Sequence, residues 1–313
     1  MVGNQRTTRG ARIRVPASTS NLGAAFDAVG LALQLYLMLE VREIENYPSR
    51  LEFYGQDAHL VPRDESNLIW RTMEEVARDA GKSLPPFRLR IDNEIPITKG
   101  LGSSATACVA GAAAADFLCG LRLTRPQLLE IATAREGHPD NVAPALMGGL
   151  VASISGEKIL CARTDFPADW TVVAVTPHFE LETKRARAAL PELVLHRDAV
   201  YNVQRAAFLM AQLTRGCREG VREAMRDRLH QPYRSPLLPG LQEILGMEEL
   251  EGLIGVALSG AGSTVVALAD GNESEIGASI HEIFKQHGLE SQVRLLKADN
   301  QGLVVESIGG PRQ

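Results

Sequence analysis

The segment Pro96-Ile-Thr-Lys-Gly-Leu-Gly-Ser-Ser-Ala105, with the alanine-rich stretch behind it, narrows the available folds more than any other part of the chain. Two glycines let the backbone bend closely around a guest, and two serines then open a helix that runs to about residue 118. Unpaired backbone N–H groups and the helix dipole at that end favour an anion, with phosphate the usual guest. The hydroxyls can add bonds to phosphate or to a metal ion riding on it. A helix built of alanine has little bulk and can lie deep in a fold. The spacing excludes two other phosphate loops. Gly81-Lys82-Ser83 has Val76 where G-x-x-x-x-G-K-[ST] needs its first glycine, and Ala105 replaces the last glycine of G-x-G-x-x-G.

Around this loop, periodicity predicts strands at 12–15, 51–54, 87–91, 148–154, 171–175, 255–258, 264–268 and 292–296. Helices are predicted at 65–81, 124–134, 197–213, 221–229 and 275–287, the second capped by Thr124 with Pro126 in its first turn. Residues 16–21, rich in Ser and Thr, read as turns or helix starts. The apolar run 24–39 reads as a helix followed by a strand. Helices and strands mix without a βαβ rhythm, which makes the fold α+β. The length of 313 residues and a change of composition near 159–170 divide the chain into two domains, 12–158 and 159–308.

Lys plus Arg number 33 against 38 Asp plus Glu, a net charge of −5, which argues against nucleic acid as the partner. The most apolar candidate for a membrane span, residues 105–121, is broken by Gly111, Asp116 and Gly120. The first ten residues carry no apolar stretch of a secretory signal. Cys108, Cys119, Cys161 and Cys217 form no C-x-x-C pair and read as small core residues in a reducing cytosol, so the expected location is cytoplasmic.

Three other segments concentrate polar chemistry. Glu136-Gly-His-Pro-Asp-Asn141 brings two carboxylates, an imidazole and an amide into one turn. A kinase needs a carboxylate for Mg²⁺ and a polar group for the attacking hydroxyl, and this segment can supply both; a solvated, capped turn is the plainer alternative. Ser18-Thr-Ser-Asn-Leu-Gly-Ala-Ala-Phe-Asp27 reads as a ligand loop or a helix cap. Ser259-Gly-Ala-Gly-Ser-Thr264, between two apolar strands, reads as a phosphate-facing loop or a plain turn.

Taken in order, the four segments resemble the GHMP small-molecule kinases over residues 12–308, and Glu136-Gly-His-Pro-Asp-Asn points within them to the branch acting on homoserine. The resemblance implies an N-terminal ATP-binding domain of ribosomal-protein-like α+β fold and a C-terminal ferredoxin-like domain. It implies transfer of phosphate from ATP to L-homoserine, giving ADP and O-phospho-L-homoserine on the way to threonine. It also implies Mg²⁺ and, as often in the family, a homodimer.

On the residues, the resemblance puts Gly100, Leu101, Gly102, Ser103, Ser104 and Ala105 around the ATP phosphates, with Pro96 and Lys99 beside them. Gly260 and Gly262 close on the nucleotide from the third segment. Ser104 and Glu136 are the expected Mg²⁺ ligands, with Glu130 upstream as a competitor. Asn21 and Asp27 are expected at the substrate's amino group, and Asn141 at the reacting hydroxyl. Arg187, Arg234 and Thr183 are expected at its carboxylate. Asp140 is the carboxylate beside that hydroxyl and is expected to shape the loop more than to take a proton; His138 is expected to be structural. Two departures from the family stand out. Ala25 replaces a glycine, which predicts strain if φ is positive there, and Ser263 replaces a proline. A sister kinase acting on mevalonate, a sugar or shikimate is the alternative enzyme, and a sensor that binds ATP without turnover is the alternative outside catalysis.

Overall fold

The computed structural model describes residues 9–45, 47–247 and 250–309. The first half runs β1 (Gly10–Ser20), β2 (Val29–Glu43), β3 (Arg50–Gly55), α1 (Leu68–Asp79), β4 (Phe87–Asn93), α2 (Ser103–Cys119), α3 (Arg125–Glu136), α4 (Pro139–Met147), β5 (Leu150–Ile154) and β6 (Leu160–Thr164). The second runs β7 (Thr171–Pro177), α5 (Thr183–Ala188), α6 (His196–Arg215), α7 (Val221–Ala224), α8 (Gln231–Arg234), α9 (Leu241–Leu245), β8 (Leu253–Leu258), β9 (Val265–Ala269), α10 (Glu273–Gln286), β10 (Ser291–Leu296) and β11 (Val304–Ile308).

Two sheets organise these elements, and the fold is α+β in two parts. A seven-stranded sheet is ordered β11-β1-β2-β4-β3, with β5 and β6 joined through β2. A four-stranded antiparallel sheet is ordered β10-β7-β9-β8, the ferredoxin-like arrangement with its first and third strands at the centre. Each sheet has its own apolar core. The first sheet, built mainly on residues 12–158, also takes in segments from beyond 159. β6 pairs with β5, and β11 pairs with β1 with Ile13 opposite Val305.

Small side chains decide how closely the helices approach. Ala105, Ala110, Ala112, Ala114 and Ala115 of α2 are fully buried. A Cβ on Gly111 would lie 2.8 Å from the Ile69 carbonyl oxygen, so α1 and α2 cross almost backbone to backbone. α1 buries Ile69, Trp70, Met73 and Val76 and is capped by Asn67, whose side chain accepts from Ile69 N–H. Thr124 caps α3 in a reciprocal box with Gln127, and Pro126 lies in its first turn, as the sequence predicts.

Elsewhere the local signals mislead. Residues 16–20 are strand, because the hydroxyls of Ser18, Thr19 and Ser20 find partners on other elements instead of capping a helix. No helix forms at 24–28; the chain makes turns until β2 begins at Val29. The predicted helix 221–229 stops at Ala224, because the Asp227 carboxylate takes the backbone N–H groups of Leu229, His230 and Gln231 and starts a new turn. Positive φ falls on Asn21, Leu22, Gly23 and Asp27 but not on Ala25, so the expected strain at Ala25 is absent. Ser263 donates its hydroxyl to the Phe179 carbonyl at 2.6 Å.

β2 and α4 meet at Gly30, where a Cβ would lie 1.8 Å from the Asp140 carbonyl oxygen. Gly30→Ala is expected to destabilise the protein by about 3 kcal/mol, as overpacking with no room to relax does. A urea midpoint unchanged from the parent would show that α4 can retreat.

Candidate active site

Four of the segments singled out in the sequence converge on one cavity of about 110 Å³, walled by Ser20, Asn21, Gly100, Gly102, Ser103, Ser104, Glu136, His138, Asp140, Asn141, Thr183, Arg187, Arg234 and Gly260 among others. At one end, α2 begins at Ser103 after Gly102, which has φ +71° and supplies no side-chain cap. The first-turn N–H groups are therefore open to an anion. A Cβ on Gly102 would lie 2.2 Å from Ser18 Oγ, so glycine is required by space as well as by φ. Ser104 Oγ donates to Glu136 Oε2 at 2.7 Å. Burial lifts the Glu136 carboxyl above the usual carboxylate range, and the Ser104 hydrogen bond and His138 offset this only partly. Glu130 lies on an exposed part of α3 and does not line the cavity.

At the centre, Asn141 in the first turn of α4 is fixed from both sides. Ser18 Oγ donates to its Oδ1 at 3.0 Å, and its Nδ2 donates to Ser20 Oγ at 3.0 Å. The neighbouring Asp140 carboxylate pairs with His138 Nδ1. Burial pushes the Asp140 carboxyl up, but the His138 bond and charge, with a bond from Ser20, outweigh it and hold its pKa below the ordinary value. Burial pushes the imidazole down, and the Asp140 bond and charge outweigh that and leave it raised.

At the other end, Arg187 forms a two-pronged pair with Asp27 at 3.1 and 3.0 Å, joining the two halves of the chain. Burial weakens the guanidinium's hold on its proton, and Asp27 more than restores it. Arg234 is 1 % exposed. Its Nη1 donates to Gly260 O at 2.9 Å and faces His230 Nδ1 at 3.2 Å. Burial, and then the charge of Arg187, bring its pKa down to about 10, which leaves it cationic at neutral pH. Asn21 Nδ2 donates to the same Gly260 carbonyl at 3.1 Å, and its Oδ1 accepts from Asp27 N–H at 2.9 Å.

Several expected residues stand back from the cavity. Leu101 and Ala105 point into the core, and Pro96 is buried, so these three could meet a ligand only through backbone. Lys99 donates its amine to the Phe179 carbonyl at 2.8 Å and is not among the lining side chains. Gly262 backs Gly100, whose Cβ would lie 2.9 Å from the Gly262 oxygen. Ser18 and Ser20 were not singled out individually by the sequence. Their signal was there, since alternate residues of an apolar strand share one face, and two hydroxyls on one face of β1 require partners.

The His138–Asp140 pair gives a stability signature with a defined sign. A depressed carboxylate pKa adds stability fully above its unfolded value of about 3.9, and a raised imidazole pKa adds it fully below about 6.5. The first contribution fades as pH falls through the folded Asp140 value, and the second as pH rises through the folded His138 value. His138→Ala should therefore cost most stability between about pH 4 and 6.5. Urea midpoints at stepped pH read it; a gap that does not vary with pH would remove the pair from the account.

Residues 67–149 match the model of the GHMP kinases N terminal domain, and residues 209–286 that of the GHMP kinases C terminal. The homoserine kinase of Solibacter usitatus is 43 % identical over 282 residues, 90 % of this chain and 92 % of that protein. That of Deinococcus radiodurans is 41 % identical over 297 residues, 94 % of this chain and 96 % of that one. The crystal structure of homoserine kinase from Cytophaga hutchinsonii matches with a TM-score of 0.84 at 27 % identity, covering 95 % of this chain and 97 % of that one. Galactokinase from Lactococcus lactis, complexed with galactose, matches at 16 % identity with a TM-score of 0.68 over 94 % of this chain and 95 % of that one, and shares the fold alone. No helix among the described residues is long and apolar enough to cross a membrane. With a family model matched in each half and relatives above 40 % identity covering nine-tenths of the chain or more, this protein belongs to the GHMP kinase family, among its homoserine kinases.

Proposed function

We propose that the protein transfers the γ-phosphoryl group of ATP to the side-chain hydroxyl of L-homoserine, giving O-phospho-L-homoserine and ADP in a route to threonine. The observation that carries the substrate is the Arg187–Asp27 pair with Arg234 beside it. A ligand bearing both an ammonium and a carboxylate can take over both partners of that pair, Asp27 by its amino end and the arginines by its carboxylate. A ligand with one charge leaves the other partner uncompensated. Mevalonate has only the carboxylate, and a sugar has neither, so an amino-acid alcohol fits best. Thr183, on the same wall, is the further polar contact we assign to the substrate.

The phosphate end supports ATP in the bend made by Gly100 and Gly102, with the Ser103 and Ser104 N–H groups toward the phosphates and Gly260 opposite. The Ser104 hydroxyl and the Glu136 carboxylate are two hard oxygen donors in contact, and the carboxylate is raised by burial in a way a cation would relieve. This donor set suits Mg²⁺, which takes few protein ligands and completes its shell with water and phosphate. Bound there, the ion would neutralise phosphate charge.

Asn141, fixed by Ser18 and Ser20, holds the hydroxyl in line with the γ-phosphorus. The hydroxyl oxygen bonds to phosphorus as the bridging bond to ADP breaks. The transition state is loose, so the hydroxyl proton leaves late, onto an oxygen of the transferred phosphoryl group, and positioning carries most of the catalysis. Asp140, with its pKa held low by His138 and Ser20, is a poor base and shapes the loop. Arg187 and Arg234 place the substrate.

A coupled ADP-release assay with Mg·ATP and L-homoserine, mevalonate, galactose and shikimate is expected to give turnover with L-homoserine alone. Turnover on another alcohol would overturn the substrate, and ATP binding without any turnover would favour a sensor. Among variants, Glu136→Gln is expected to lower kcat about a hundredfold or more. Asp140→Asn is expected to lose far less at unchanged homoserine affinity. A loss in Asp140→Asn equal to that in Glu136→Gln would make Asp140 the base.

A further inference from the structure

Behind the substrate wall lies a buried imidazole that the reaction itself does not use. His230 is 0 % exposed. Its Nε2 lies 2.8 Å from the Gly23 carbonyl oxygen, and its Nδ1 lies 3.2 Å from Arg234 Nη1. The ring stacks on Phe26 with centroids 4.9 Å apart, and the Arg234 guanidinium sits 5.2 Å from the same Phe26 ring. Asp227 accepts from His230 N–H at 2.9 Å and from Asn202 Nδ2 at 2.7 Å, and Asn202 Nδ2 also reaches the Ala24 carbonyl at 3.0 Å. The turn between Asn21 and Asp27 is thus held by the second half of the chain at Gly23 and at Ala24.

Donor rules fix the tautomer. A guanidinium nitrogen only donates, so Nδ1 must offer a lone pair, and Nε2 then carries the proton toward Gly23 O. Nη1 of Arg234 uses its two N–H groups on His230 and Gly260, and Nε points at Ala186 O at 3.4 Å. The pair of N–H groups on Nη2 is what remains for the cavity that Arg234 lines. One neutral ring therefore sets the orientation of the guanidinium from one nitrogen and the position of the Asn21–Asp27 turn from the other.

Taking the amino-acid reading above as its basis, we propose that His230 is a positioning residue for substrate selection: a neutral two-ended spacer between Arg234 and the Gly23 turn that keeps the carboxylate-binding and amine-binding groups at a fixed separation. Its Nδ1 end serves recognition of the carboxylate. Its Nε2 end serves recognition of the amine.

Two variants separate the ends. His230→Asn keeps an acceptor near the Nδ1 position and loses the bond to Gly23 O, whereas His230→Gln keeps a donor near Nε2 and loses the acceptor for Arg234. The probes are L-homoserine, aminopropanol, which lacks the carboxylate, and γ-hydroxybutyrate, which lacks the amine. They are compared by kcat/KM, or by inhibition constants where turnover is too slow. His230→Gln should narrow the preference for homoserine over aminopropanol about tenfold or more and leave the preference over γ-hydroxybutyrate within about threefold. His230→Asn should do the reverse. The KM for ATP should stay within about twofold in both. Equal losses on every probe, or a matching rise in the KM for ATP, would make His230 merely structural and overturn the proposal. A parent protein that fails to phosphorylate homoserine would instead overturn the substrate reading beneath it. Nitrogen-15 NMR of the unaltered protein needs no variant to fold. An unprotonated Nδ1 with a protonated Nε2 on His230 is expected, and a protonated Nδ1 would overturn the proposal.

Discussion

The carbonyl oxygen of Gly260 accepts from Asn21 Nδ2, in the first half of the chain, and from Arg234 Nη1, in the second. Two donors on one acceptor fix the distance between the segments that carry them. Gly260 can stand there because its loop is short and pinned at both ends. Ser259 N–H and Thr264 O close the hairpin of β8 and β9, and Ser259 Oγ reaches the Gly100 carbonyl at 2.6 Å. Thr264 N–H donates to Lys99 O on the phosphate side. The bend at Gly100 and the segments that carry Asn21 and Arg234 are thereby referred to a single loop.

A buried arginine is costly unless its charge and all its donors are answered. Arg234 meets the second condition at Nε and Nη1, through two carbonyls and an imidazole, with the Nη2 N–H groups left to the cavity, and it meets the first through Asp27, Asp227 and Asp140, whose charges offset part of the burial that lowers its pKa. The local excess of positive charge from Arg187 and Arg234 is tolerable in the free protein because Asp27 neutralises one of them. The same excess is what an incoming carboxylate would meet. Charge balance in the cavity and the proposed preference for a zwitterion have one origin.

How much of this was legible in the sequence depended on whether the signal was local. The anion-ready start of α2 follows from Gly102-Ser103-Ser104 and the alanines behind them, and the box at Thr124 from its spacing to Gln127. That Glu136 and not Glu130 meets Ser104 could not be read from spacing, since it turns on which side of α3 faces that hydroxyl. Residues 16–28 were misread because their hydroxyls and amides are satisfied by partners more than a hundred residues away, such as Ser18 by Asn141 and Asn21 by Gly260. Strand β11 carried no clear alternation, and only its pairing with β1 makes it a strand. The roles proposed for Arg187 and Arg234 come from resemblance, while the ring beside Arg234 is visible only in three dimensions.

The pairing of β11 with β1 also sets an order of events. Ile13 and Val305 are neighbours in the sheet but almost the whole chain apart in sequence. On a ribosome, β1 emerges well before β11 and must wait with that edge unpaired until β11 is released. Closing so long a loop is slow, and an unpaired edge is where chains pair with the wrong partner. Because β1 also carries Ser18 and Ser20, the strand that fixes the Asn141 side chain is the one whose edge waits for β11 during synthesis, so a chain stopped before residue 304 would display that edge permanently to chaperones and proteases.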